Sequence, residues 1–202
     1  MPKEIEIKYA VANLSAVGRR LREAGAVFLG TVLQADVYFD TPRRQLLAAD
    51  SGLRLRTVRC VKAGAERVKA GALMTFKGPS RRGGKAKVRT EHQTQVGDPA
   101  VVAEILAACG LQAMLTIEKR RSAYRLGRCR VELDRLPILG CFVEIEAPSQ
   151  REILSTARRL GLDGLPLKAH YVNLLRKGCR RVAAGCKTVA FARCDRQCGR
   201  RR

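Results

Sequence analysis

The chain has 202 residues, enough for one domain with a buried core, and its 46% hydrophobic and 29% charged residues mark a globular protein rather than a disordered one. No apolar run approaches the roughly 20 residues of a membrane-spanning helix, and the opening Met1-Pro2-Lys3-Glu4 carries no signal-peptide core, so a cytoplasmic protein with no membrane partner is expected. The net charge is +22, with ten Lys/Arg and a single acid between Arg176 and Arg202; such a field draws polyanions. Aromatic residues make up only 4% and Trp is absent, which leaves little material for stacking nucleic-acid bases.

In chain order, residues 4–9 alternate strictly, with Glu4, Glu6 and Lys8 on one face and Ile5, Ile7 and Tyr9 on the other, the pattern of a strand. Asn13 reads as the N-cap of a helix with Leu14, Val17 and Leu21 on one stripe and Gly25 at its stop. A strand around 33–39 closes at Asp40-Thr41-Pro42, and Ser51-Gly52 leads into another with Arg54 and Arg56. Strands around 72–77 and 86–96 flank the loop at 78–84. Asp98-Pro99 opens a second helix with Val102, Ile105, Leu106 and Cys109 on one face.

Strands near 114–125, 128–134 and 141–147 follow, then a capping box, Ser149 with Glu152, ahead of a third helix. A short helix is expected over 169–176. Beyond Gly178 the sequence becomes a Cys- and Arg-rich tail without periodicity, expected to be mobile, so the division read is 1–177 as the domain and 178–202 as the tail. No C-x-x-C pair occurs among the eight cysteines, so reduced thiols are expected rather than a zinc site.

Five strands carry charges two residues apart: Glu4/Glu6/Lys8, Arg54/Arg56, Arg89/Glu91, Lys119/Arg121 and Glu144/Glu146. Period two places each set on a single face. On an open sheet these would be solvated pairs of little energetic value. Inside a closed barrel they would be costly unless they bound something, and the two signs say what: carboxylates suit a hard divalent cation, Lys and Arg suit phosphate oxygens. A metal-bound triphosphate satisfies both.

Glu4-Ile5-Glu6-Ile7-Lys8 resembles the E-x-E-x-K signature of the CYTH superfamily, the triphosphate tunnel metalloenzymes. The order of the later segments is similar too: Asp36-Val37-Tyr38-Phe39-Asp40, Leu53-Arg54-Leu55-Arg56, Thr75-Phe76-Lys77-Gly78-Pro79, Arg89-Thr90-Glu91, Leu133-Asp134, Phe142-Val143-Glu144-Ile145-Glu146 and His170-Tyr171-Val172-Asn173. Thr116-Ile117-Glu118-Lys119-Arg120-Arg121-Ser122 and the Lys-Gly-Pro at 77–79 are most similar to the class IV adenylyl cyclase branch. Two features depart from the pattern: His170 stands where the family usually has Ser, and the tail has no counterpart.

The resemblance implies an α+β fold, a closed eight-stranded antiparallel β-barrel or tunnel with helices packed outside, often dimeric. It implies Mg2+ or Mn2+ as cofactor, held by Glu4, Glu6, Asp134, Glu144 and Glu146 with Glu91 in support. Lys8, Arg54, Arg56, Lys77, Arg89, Lys119 and Arg121 would bind the triphosphate, and Glu6, Lys8, Lys119 and Arg121 would carry catalysis. The expected activity is conversion of ATP to cyclic AMP and pyrophosphate. Hydrolysis of inorganic or thiamine triphosphate, and a non-catalytic polyphosphate- or RNA-binding module, are the alternatives. Nucleic acid is not expected as a specific partner, because carboxylates on the ligand face would repel its phosphates. His92 and His170 are expected to be structural.

Overall fold

The computed structural model describes residues 3–65, 70–80, 86–167, 169–183 and 185–192. The side chain of Glu4, part of the 60–70 connection, part of the loop at 78–84 and the tail residues 193–202 lie outside the described residues. The elements run β1 (Lys3–Val11), α1 (Leu14–Glu23), β2 (Val27–Asp40), α2 (Gln45–Ala48), β3 (Gly52–Ala63), β4 (Gly71–Lys77) and β5 (Lys87–Val96). Then come α3 (Pro99–Ala108), β6 (Gln112–Leu126), β7 (Cys129–Leu136), β8 (Gly140–Glu146), α4 (Gln150–Arg159), α5 (Tyr171–Gly178), α6 (Arg180–Ala183) and β9 (Thr188–Val189).

Eight antiparallel strands pair in the order β2-β3-β4-β5-β1-β8-β7-β6, and β6 pairs back onto β2, so the sheet closes into a ring. Period two then turns the charged faces of β1, β7 and β8 inward and their apolar faces outward. The helices cover that outer face. Asn13 Oδ1 accepts from the backbone of Ser15 at 2.8 Å and starts α1, while Ser149 Oγ and Glu152 exchange bonds at the head of α4, closing the expected capping box. Val17 and Leu21 of α1 and Ile153, Ala157 and Leu160 of α4 bury against Ile7, Val131, Val143 and Ile145 of the ring, all 4% exposed or less.

A second apolar cluster lies inside the ring. Leu115 and Ile117 share the parity of Lys119, so they point inward, and with Leu136 and Phe142 they receive Tyr171 and Leu175 of α5. α5 therefore stops one end of the tunnel. The thinnest seam is β1–β5, paired only from Lys3–Thr90 to Glu6–Lys87. Beyond it, the Lys8 carbonyl accepts from Leu167 N at 2.7 Å, so the segment before α5 covers the seam.

Two elements depart from the sequence pattern. β6 runs 15 residues and outlasts β7, leaving the edge of its first half unpaired on that side. β9 takes that edge in parallel, with Thr116 N donating to Lys187 O at 2.7 Å and Val189 sealed at 1% exposure. Within the segment read as the tail, Thr188–Val189 is thus a strand: the open edge of β6 supplies a partner that its own sequence does not advertise. α3 differs as well. It buries none of its residues fully: Ile105 stays 54% exposed, Val102, Ala103 and Leu106 are half-buried, and a cavity separates the helix from Val37, Phe39 and Leu55 of the ring.

Backbone spacing forces one glycine. A Cβ on Gly64 would stand 2.4 Å from the carbonyl carbon of Leu29, where Ala65 N bonds Phe28 O and the β3 exit presses on the bulged start of β2.

Candidate active site: a charged tunnel

The ring encloses a cavity of about 1220 Å3. Lys8, Arg54, Arg56, Lys77, Arg89, Lys119 and Arg121 all line it, as do Glu6, Glu91, Glu144 and Glu146. Six of the strands contribute them, so closure of the ring, not any local motif, brings these groups together.

The cations are held by carboxylates beneath them. Arg56 makes a two-point contact with Asp36, Nε to Oδ1 at 2.6 Å and Nη2 to Oδ2 at 2.8 Å, and Arg54 Nη1 lies 3.6 Å from the same group. Burial alone would raise the pKa of Asp36, but Arg56 and Arg54 outweigh it and hold the carboxyl well below its ordinary range. Both arginines therefore face the ligand space. Two strands further round the ring, Asp134 is fully buried and takes Arg121 through Nε and Nη2, Lys119 Nζ at 3.2 Å and the Tyr171 hydroxyl at 3.1 Å.

Asp134, expected among the metal ligands, bonds Arg121 and Lys119 through its two oxygens in this structure. Glu144 is in a similar position: Lys8 Nζ sits 2.8 Å from Oε1, and Arg121 Nη2 bonds Oε2. Burial would raise its pKa, yet Lys8 and Arg121 drive it well below the carboxylate range. Lys8 also lies 3.6 Å from the centroid of the Tyr171 ring, which fixes its ammonium from the far side.

The uncompensated acids gather at the rim. Glu6 and Glu146 are cross-strand partners, and burial, then Glu132 and Glu6, raise the pKa of Glu146, with Glu91 adding to the shift. A carboxylate raised by its neighbours is one that a cation would relieve, so the donor set fits a hard divalent ion with oxygen ligands. Among the described residues no three acidic, His or Cys side chains stand close enough to hold an ion unaided. Glu91 is engaged with Lys77 Nζ at 2.9 Å.

Sequence reasoning gave no role to Asp36, Glu132 or Tyr171. Asp36 shares its face of β2 with Tyr38 and Gln34, which was legible; that it lies opposite Arg56 required the β2–β3 register. His170, expected to be structural, lines the cavity, with Nε2 2.9 Å from Arg89 Nη2 and 3.7 Å from Asp50. His92 is exposed on the outer side of β5.

The CYTH domain family model matches residues 2–160. The chain belongs to the CYTH domain family. It is 29% identical over 175 residues to adenylate cyclase CyaB of Aeromonas hydrophila, covering 82% of this chain and 84% of that protein. A solved Pyrococcus horikoshii protein superposes with a TM-score of 0.70 at 28% identity, across 85% of this chain and 98% of its own. The fold is also that of a Hippeastrum protein named for adenylyl cyclase and described as showing a dominant triphosphatase activity, with a TM-score of 0.66 and 18% identity over 87% of this chain and 96% of that one. α5 and β9 of this CYTH chain lie beyond the residues that the family model matches.

Proposed function

We propose that the protein is a divalent-metal-dependent enzyme acting on triphosphates, and that its reaction is cyclisation of ATP to cyclic AMP with release of pyrophosphate. One observation carries this reading. The cationic belt of Lys8, Arg54, Arg56, Arg89, Lys119 and Arg121 is flanked by carboxylates at one rim and by apolar walls, including Leu29, Val32, Val58 and Leu73. Phosphates, metal and an organic group each find matching chemistry, and a cavity of about 1220 Å3 leaves room for a nucleoside beside its phosphates.

Glu6 and Glu146 would hold the ion together with phosphate oxygens, as hard cations are commonly shared between one or two carboxylates and substrate. The metal supplies charge neutralisation at the triphosphate. Lys8, Lys119 and Arg121 stabilise the charge that develops on the departing pyrophosphate, already oriented by Glu144 and Asp134. The ribose 3′-hydroxyl attacks the α-phosphorus, its proton passes to a rim carboxylate such as Glu6, and the α–β bridging bond breaks.

The same cage would serve a triphosphatase in which water attacks the γ-phosphorus, the activity described for the Hippeastrum protein. Products of ATP, inorganic triphosphate and thiamine triphosphate, each with Mg2+, Mn2+ or chelator, separate the readings. Cyclic AMP formed only with metal, and lost at least 100-fold in Glu6→Gln, is the expected result. Metal-dependent phosphate release without cyclic AMP would replace the cyclase by the triphosphatase. No turnover at all with retained polyphosphate binding would leave a binding module.

A further inference from the structure

Gln34 is the one uncharged amide on the inner face of β2, between Val32 and Asp36, with Val58 of β3 and Lys119 of β6 as its cross-strand partners. It is 7% exposed and lines the cavity, yet its Oε1 is buried with no hydrogen-bond partner. A sealed carbonyl oxygen without a donor is a destabilising feature that folded proteins rarely keep. Leu29, Val32, Val58, Leu73 and Ala123 form an apolar stretch of the cavity wall on its side of the belt. The phosphate-facing residues Lys119 and Arg56 are its immediate neighbours, across the strand and diagonally.

We propose that Gln34 reads the base of a nucleoside triphosphate, its amide accepting from an exocyclic amino group and donating to the adjacent ring nitrogen, the pairing that suits adenine. This rests on the proposed action on triphosphates. With the phosphates on the belt, the organic group extends along the apolar wall, where a flat base buries its faces. Gln34 is then the polar group available to its edge. An adenine N6/N7 edge offers a donor beside an acceptor, which one amide matches in a two-point contact. The same edge of guanine offers two acceptors and leaves the Gln34 carbonyl oxygen unpaired. A ribose, with several hydroxyls, would find too few partners on this wall.

The test is calorimetric binding of ATP, GTP and inorganic triphosphate to the wild type and to Gln34→Leu, with melting temperatures of both. The wild type is expected to bind ATP more tightly than GTP. In Gln34→Leu the ratio of ATP to inorganic triphosphate affinity falls about 10- to 100-fold, the worth of a good two-point amide–base contact, and the preference over GTP disappears. The melting temperature stays level or rises, since an unpaired buried amide is removed. Unchanged ratios in the variant overturn the inference, and so does an equal loss for all three ligands, which would make Gln34 a support of the phosphate belt. Inorganic triphosphate binding to the wild type without any ATP binding overturns the inference while leaving action on triphosphates intact. Failure to bind any of the three sinks that underlying reading as well.

Discussion

Asp134 cannot compensate two cations equally. Arg121 takes both of its oxygens, a geometry that a planar guanidinium can make and an ammonium cannot, and Lys119 receives one oxygen at 3.2 Å. Burial, followed by the nearby Arg121, therefore lowers the pKa of Lys119 to about 8. The folded value lies below the unfolded one, so between about pH 8 and 10.5 the unfolded chain binds more protons and the strain of the buried ammonium is relieved as pH rises. Stability should not fall across that window on account of this group. Phosphate binding should, because the belt loses one positive charge. We expect kcat/KM for a triphosphate to decline with an apparent pKa near 8 in the free protein. Lys119→Arg, which cannot deprotonate in this range, should shift that limb upward by more than one unit. A decline at the same pH in Lys119→Arg would assign it to another group.

At the scale of elements, α5 and β9 act as one closure. α5 drives Tyr171 and Leu175 into the inner cluster, and β9 covers the β6 edge beside it while Phe191 N bonds Glu118 Oε2 at 2.9 Å. A chain ending at residue 178 would uncover Ile117 and Cys179's neighbours, strip the partner of Thr116 N and free a strand edge. Its melting temperature should drop by about 5–10 °C, as a loss of 2–3 kcal/mol gives in a domain of this size, and it should aggregate more readily. An unchanged melting curve would show that the β9 pairing contributes nothing. This closure was not legible in the sequence. Thr188-Val189 is too short to show alternation, and only the excess length of β6 over β7 explains where it docks. The ring was legible, because period two repeats in Glu6/Lys8, Arg54/Arg56, Lys119/Arg121 and Glu144/Glu146. The pairing inside it was not. That Asp134 meets Arg121 depends on registers that no single strand encodes, and the apolar face of α3 promised a burial that its packing does not deliver.

For the whole molecule, the +22 charge and the tunnel are separate electrostatic features. Inside, Asp36, Asp134, Glu144 and Glu91 each face Arg or Lys, so the wall is close to neutral and its contacts are short. Among the described residues the positive excess therefore lies outside that wall, including Arg176 and Lys177 at the cavity mouth. Charges of the first kind are little affected by salt, whereas those of the second are screened beyond a Debye length of about 8–10 Å at physiological ionic strength. The outer field should gather anionic substrate and raise its encounter rate without altering the chemical step. Raising ionic strength from about 0.02 to 0.5 M should thus lower kcat/KM for a triphosphate roughly tenfold while kcat changes less than twofold. Reversing Arg176 and Lys177 to Glu should flatten that salt dependence without lowering kcat. A kcat that fell in parallel would mean that these two side chains, or the α5 end that carries them, take part in closing the tunnel during turnover, and the separation of capture from chemistry would fail.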